Sequence, residues 1–255
     1  MSWFDALNPG AQFSKYFELV LAESPQLQDE VFRIRHQVYC EELGYEGVTP
    51  DGRERDECDR HSKHLLLRTA NTGVRVGCTR LILPDPDQPS FPLPFERACA
   101  ATIDRRLIDP ATLPRDSIAE VSRLAVVRAF RRRKGEERSK DGAAAIDYGT
   151  PKQPRFPYIQ LGLYLGAVAL AHRLGIKIIF FLTEPRLAGH FEKLGFPVHQ
   201  IGGPIEHRGI RVPSMSNVDE TIAGLRFFMR PIYKVVAQAI DSGVERAGHG
   251  GEGTH

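Results

Sequence analysis

A chain of 255 residues, 42% hydrophobic and 26% charged, holds enough apolar material for a sizeable core, as one large or two small soluble domains. A formal net charge of +2 is too small to make nucleic acid the main partner, and cysteines at 40, 58, 78 and 99, with no C-x-x-C pair and no finger spacing, argue against a zinc site or a disulfide framework. The longest apolar run, "LGLYLGAVALA", stops at His172 after 11 residues, short of the roughly 20 a membrane span requires, and "MSWFDALNPG" lacks the basic and apolar regions of a secretory signal, so the expected setting is the cytoplasm.

The predicted elements are mixed α/β (α+β). "YFELVLAES" reads as a strand, and Ser24-Pro25 supplies an N-cap with proline at the first helical position. The helix over about 25 to 42 carries Leu27, Val31, Ile34 and Val38 on one stripe and ends before Gly44. Residues 63 to 69 and 74 to 83 flank Ala70-Asn71-Thr72-Gly73 as a hairpin, and the Pro-rich "PDPDQPSFPLP" closes that unit. "IAEVSRLAVV", 118 to 127, is a strand; 128 to 156 is expected to be a basic, mobile insertion; 157 to 175 is a helix. "IKIIFFLT" has the composition of a buried central strand. "LAGHFEKLGF" reads as a short helix, "IGGPIEHRGIRVPSMSNV" as a final hairpin, and "ETIAGLRFFMRPIYKVVAQAI" as C-terminal helix interrupted near Pro231. One domain over 1 to 242 is expected, with a disordered tail over 243 to 255.

Strand, helix, hairpin, strand, helix, strand, short helix and hairpin is the order of the GNAT acyl-CoA N-acyltransferase fold, a mixed, mostly antiparallel sheet flanked by helices. Five short patterns strengthen the likeness. Arg35 stands four residues before Tyr39, with Tyr45 shortly after; "ERDECD" holds Glu54, Asp56 and Asp59; "GCTR" holds Gly77 and Arg80; "EVSR" holds Glu120 and Arg123. In this order and spacing they resemble the acyl-homoserine-lactone synthases and the related N-acyl amino acid synthases. The stretch "FRIRHQVYCEELGYE" most resembles the acyltransferases associated with the PEP-CTERM/exosortase protein-sorting system, with tyrosines where the lactone synthases commonly have Phe and Trp.

The resemblance implies an acyltransferase moving a fatty acyl group from a phosphopantetheine thioester to an amine, with no permanently bound cofactor and no metal. Such chemistry needs a deprotonated amine, a group to take its proton, and donors for the developing oxyanion. Glu120 is the expected base or orienting group, direct or through water, with Arg80 and Arg123 holding position by ion pairs. Glu120 and Arg123 would face opposite sides of a regular strand, so a β-bulge near Val121 and Ser122 is expected. Asp56 and Asp59 are expected to bind the acceptor and pair with Arg35, while Arg35, Tyr39 and Tyr45 shape its pocket. Cys40, Cys58 and Cys78 read as small hydrophobes, His190 and His207 as surface or packing residues, and His61 and His64 as weaker alternative bases.

For the donor, backbone groups of Leu124, Ala125, Val126 and Val127 are expected to pair with the pantetheine amides. The match to a coenzyme A pyrophosphate loop, "RRKGEE", puts Glu137 where Gly or Ala belongs. Arg128, Arg131, Arg132, Arg133, Lys134, Arg138 and Lys140 face only Glu136 and Glu137, an excess of five positive charges that suits an acidic acyl carrier protein, with coenzyme A the second choice. Peripheral membrane contact stays open on the same charges. Two other readings also stay open: a coenzyme-A-dependent acetyltransferase, and an inactive acyl-thioester-binding module of the sorting system.

Overall fold

The computed structural model describes residues 8–131 and 158–249, apart from 186, 187, 189, 190 and 192–194. Asn8 opens the first helix, α1 (Pro9–Tyr16), by accepting the Gly10 and Ala11 N–H groups. Strand β1 (Phe17–Leu21) follows at once, with Phe17, Leu19 and Leu21 inward at period two. Ser24 then caps α2 (Pro25–Arg35), accepting from Leu27 N–H at 3.3 Å. The helix continues with π geometry over His36–Glu42, where Leu43 N–H reaches back five residues to the Val38 carbonyl at 3.1 Å. Such widened turns recur at functional sites, and this one carries Tyr39.

The 57–61 turn leads into β2 (Ser62–Thr69), which pairs with β3 (Arg75–Ile82) as the expected hairpin. At the end of the Pro-rich segment begins a helix the composition did not suggest, α3 (Pro94–Ala98). Strand β4 (Ile118–Val126) ends in one helical turn, α4 (Arg128–Arg131). Helix α5 (Tyr158–Arg173) is apolar all round, as suits a helix buried on every side, and leads to β5 (Ile178–Thr183). Two short strands, β6 (His199–Gln200) and β7 (Ile205–Glu206), precede β8 (Ile210–Asn217). Helices Val218–Gly224 and Arg230–His249 close the chain, with Pro231 in the first turn of the second.

The sheet runs β1-β2-β3-β4-β5-β8-β6, with β7 on β8. Only β4 and β5 pair in parallel, and only from Ile118 with Ile178 to Glu120 with Phe180. Past Glu120 the two strands part, leaving the β5-facing edge of β4 without a strand partner among the described residues. One face of the sheet is covered by α1, α5 and the C-terminal helix, the other by α2, whose Val31, Ile34 and Val38 pack on Leu66, Cys78 and Ala125. This is the mixed, mostly antiparallel GNAT arrangement that the element order implies. No described helix is long and apolar enough to cross a membrane.

Two expectations are corrected. The β4 bulge lies further along than Val121 and Ser122: Cys78 pairs with Ala125 but Arg80 with Ser122, so the extra residue falls at Arg123–Leu124, and Arg123 takes a left-handed φ of 52°. The tail does not lose structure at Gly243, because the C-terminal helix continues to His249. Gly243 sits where a Cβ would come within 2.9 Å of Leu21, and Val244 packs on the core. That burial outweighs the roughly 1 kcal/mol helix penalty of glycine. Most of the "LAGHFEKLGF" helix, most of the basic insertion and residues 250–255 lie outside the described residues.

Gly77 holds β3 and β4 close: a Cβ there would meet the Ala125 carbonyl at 2.5 Å and Leu163 at 3.2 Å. Gly77→Ala is expected to lower the unfolding free energy by about 1–3 kcal/mol through overpacking, read as a lower urea midpoint at unchanged slope.

Candidate active site

A cavity of about 550 Å³ fills the space where β4 and β5 part. Glu120 to Val126 form one wall and Phe181 to Glu184 the opposite one; Tyr39 and Tyr45 come from the end of α2, Asp56 and Glu57 from the charged loop, and Gln160 and Tyr164 from α5. The final hairpin closes the rim with His207, Arg208 and Arg211.

The charged loop folds because its carboxylates do two jobs at once. Asp56 Oδ1 accepts from Cys58 N–H at 3.0 Å and Asp59 Oδ2 from Asp56 N–H at 2.8 Å, a reciprocal cap that tightens the 57–61 turn. Together with Glu54, the same carboxylates meet three arginines. Arg80 Nη1 donates to Asp56 Oδ1 and Asp59 Oδ1, each at 2.6 Å, its Nη2 to Asp56 Oδ2 at 2.8 Å, and its Nε to Ser122 Oγ at 2.9 Å. Arg123 Nη2 donates to Glu54 Oε1 at 2.9 Å and Asp56 Oδ2 at 3.0 Å. Arg35 donates from Nε to Glu54 and from Nη1 to Asp59 Oδ1 at 2.6 Å. Three guanidiniums against Glu54, Asp56 and Asp59 make a balanced network, the form in which charge can be buried.

The network explains the acidity of its members. Burial acts to raise the Asp56 pKa, but the Arg80 hydrogen bonds and the charges of Arg80, Arg123 and Arg35 outweigh it and hold the group at about 2. Glu54 and Asp59 are likewise held below their ordinary values, the arginines prevailing over burial. All three stay ionised near neutral pH.

Glu120 is the exception. Its side chain is 5% exposed, and its Oε2 accepts from Phe95 N–H at 2.8 Å at the start of α3. Burial raises its pKa to about 7, against the opposing pull of the Phe95 N–H and of Arg80 and Arg123. A carboxyl poised there, on the wall of a cavity, suits general-base work.

Several expected roles change with this geometry. Arg80 and Arg123 do not hold Glu120; they bond the acidic loop and Ser122. The register gives the reason, since Arg80 lies opposite Ser122 and Glu120 opposite Ile82. Arg35 is fully buried and, with Asp59, stands behind the cavity wall, so both support the site without facing a substrate; the expected Arg35–Asp59 pair is present. Asp56, Tyr39 and Tyr45 do line the cavity. So does His207, which the sequence suggested was a surface or packing residue; its pKa is lowered by burial and by Arg123 and Arg211, which favours the neutral ring. His64 faces Asp59 and Phe32 behind the wall, and burial lowers its pKa to about 4, so it is no base for the cavity.

On the donor side, Leu124, Ala125 and Val126 line the cavity along the open edge of β4, whereas Val127 lies outside the wall, its N–H on the Val76 carbonyl. Tyr39 braces the bulge: its hydroxyl donates to the Leu124 carbonyl at 3.1 Å and its ring lies 5.7 Å below the Arg123 guanidinium. Arg131 reaches the cavity but is paired with Glu42, whose carboxylate also accepts the Arg128 N–H. Arg132, Arg133 and Lys134 lie outside the described residues. Sequence reasoning missed Arg208, paired with Glu46, and Arg211, paired with Glu184 at 2.7 Å; no local spacing links that hairpin to the α2 loop. Among the described residues, no three His, Cys, Asp or Glu side chains gather as metal ligands.

Residues 34–139 match the acetyltransferase (GNAT) domain family. No curated protein matches the chain by sequence. Among solved structures it is similar to TofI in a ternary complex with an inhibitor and MTA, at TM-score 0.55 and 21% identity over 82% of this chain and 95% of that one. It is similar to BjaI, a CoA-dependent acyl-homoserine lactone synthase with SAM and isopentyl-CoA, at TM-score 0.54 and 22% identity over 89% of each chain. It also resembles FeeM, an N-acyl amino acid synthase from uncultured soil microbes, at TM-score 0.53 and 14% identity over 84% and 97%. The chain thus matches a GNAT acetyltransferase domain over residues 34–139 and has the fold of those synthases.

Proposed function

We propose that this chain moves a fatty acyl group from the thioester of an acyl carrier protein to the amine of an amino acid or related small acceptor. Glu120 carries the reading: a buried carboxyl with its pKa raised to about 7, on the cavity wall where β4 and β5 part. The acceptor amine loses a proton to Glu120, directly or through water, and attacks the thioester carbonyl. A C–N bond forms, the C–S bond breaks, and the proton leaves with the thiol of the pantetheine arm. Leu124 to Val126 offer backbone groups along an unpaired edge, which suits pantetheine amides added as a strand. The Leu124 carbonyl, bonded by Tyr39, retains a second lone pair for this. Asp56, Tyr39 and Tyr45 contact the acceptor, while Arg80 and Arg123 hold Asp56 in place.

Acyl carrier protein is favoured as donor by the basic run from Arg128 to Lys140, and coenzyme A by the printed description of BjaI as CoA-dependent. The stretch "FRIRHQVYCEELGYE" supports a place beside the PEP-CTERM/exosortase sorting system. The test is purified protein with acyl-carrier and coenzyme A thioesters and a panel of amino acids, followed by thiol release and mass spectrometry. Thiol should appear one-for-one with an N-acyl product. Turnover of the carrier-protein donor should fall about tenfold or more between about 50 and 500 mM salt, as a charge-steered encounter does. A salt-insensitive preference for the coenzyme A thioester would make that the donor. Thioester binding without product would leave only an inactive binding module.

A further inference from the structure

A second cavity, about 300 Å³, opens beside the first and shares Glu57, Cys58, Pro94 and Arg97 with it. The rest of its wall sets Phe91, Pro92 and Leu93 beside charged residues, among them Arg60 and Asp85. The shared wall is next to Glu120, because Pro94 precedes Phe95, whose N–H bonds the Glu120 carboxyl. A donor laid along the open edge of β4 takes up part of the first cavity, and the acceptor shares the rest of it with Glu120, Asp56, Tyr39 and Tyr45. The second cavity extends that acceptor space on the α3 side.

The arginines around these cavities differ in how firmly they are held. Arg80 and Arg123 have their donors on Glu54, Asp56, Asp59 and Ser122, and Arg131, Arg208 and Arg211 are paired with Glu42, Glu46 and Glu184, all of which are under about a third exposed. Arg60 is anchored on the buried Asp85 as well as on the exposed Asp87, whereas Arg97 has, among the described residues, one carboxylate partner, a 3.2 Å contact to Glu57, with side chains 41% and 72% exposed. So exposed a pair is weak and exchanges readily for an incoming anion. The Arg97 guanidinium also stacks 5.1 Å from the Phe91 ring, which keeps it at the wall between the cavities.

We propose that Arg97 leaves Glu57 to bind a carboxylate of the acceptor, which is therefore an amine bearing a free carboxylate, its amine at Glu120 and its apolar remainder against Phe91, Pro92 and Leu93. This rests on the acyl transfer proposed above. Arg97 sets specificity.

The test compares amino acids with their carboxamides as acceptors in wild type, Arg97→Met and Arg97→Lys. Carboxamides are the weaker bases, so their amines are more fully deprotonated at neutral pH and a preference for the acid has to come from the site. The wild type should favour the acid by about tenfold or more in kcat/KM. Arg97→Met should bring that ratio to about one through KM, and Arg97→Lys should restore part of it, a pattern that mere loosening of α3 would not give. Carboxamides accepted as well as acids by the wild type, or a preference that survives Arg97→Met, overturns the assignment while leaving acyl transfer intact. Failure of the wild type to acylate any amine from either thioester overturns acyl transfer itself, and Arg97's role with it.

Discussion

Glu120→Gln is expected to lower kcat by about 10²- to 10⁴-fold, the usual worth of a positioned base, while the protein stays folded. Glutamine has nearly the same shape and its carbonyl can still accept the Phe95 N–H, but it cannot take a proton. In the wild type, kcat/KM should rise with pH to a plateau, with a midpoint near the Glu120 value of about 7. The same substitution has a signature in stability. Burial raises the Glu120 pKa from its ordinary 4.5 to about 7, so its contribution is fully present below about 4.5 and is lost as pH rises toward 7. Burial lowers the His64 pKa from 6.5 to about 4, so His64 adds stability over nearly the same interval as pH rises. Each slope is about 1.4 kcal/mol per pH unit, and the two oppose each other. Between about pH 4.5 and 6.5, Glu120→Gln should therefore gain stability with rising pH more steeply than the wild type. Urea melts at several pH values read both slopes, and a variant with the wild-type slope would deny Glu120 its raised pKa.

Removing Arg35 should have the largest effect on the fold itself. Arg35→Met leaves Glu54 and Asp59 buried behind the cavity wall with one guanidinium fewer, and breaking a buried pair in this way costs about 3–5 kcal/mol. Activity should fall with it, because the same carboxylates anchor Arg80 and Arg123. Arg35→Lys should recover little, since one ammonium cannot reproduce the forked bonds to two carboxylates. The network also sets the acid limit. Glu54, Asp56 and Asp59 have depressed pKa values, so their contribution is present above the ordinary 3.8–4.5 and disappears as pH falls through the lowered values, about 2 for Asp56. Unfolding in that range should need less acid in Arg35→Met than in wild type.

Local spacing was enough to find the helix stripe at 27 to 38, the buried run of β5 and the hairpin between them in sequence, because each carries a single period or turn signal. Only the resemblance to the acyl-homoserine-lactone and N-acyl amino acid synthases brings Arg35, the acidic loop, Arg80, Glu120 and Arg123 into one neighbourhood. It did not say which of them would face the cavity. Arg35 and Arg80 carry the same charge, yet one lies behind the wall and the other on it, a difference fixed by how the 57–61 turn folds against β3. Glu120 reads as the base from sequence, but its raised pKa comes from tertiary burial, and its Phe95 N–H partner from α3, a short helix that starts at the last proline of the Pro-rich stretch. The bulge was expected, and only the pairing with β3 puts it at Arg123. His207, Arg208 and Arg211 join the site from a hairpin more than 80 residues beyond Glu120, a distance no motif spans.

The most direct measurement is mass spectrometry of organic extracts from a bacterial host expressing the wild type or Glu120→Gln. The account predicts new N-acylated amino acids in the first and their loss in the second, with both proteins folded and equally abundant. N-acyl products undiminished by Glu120→Gln would contradict Glu120 as the base. No product from the wild type in extracts, and none from purified protein supplied with both thioesters and amines, would contradict acyl transfer.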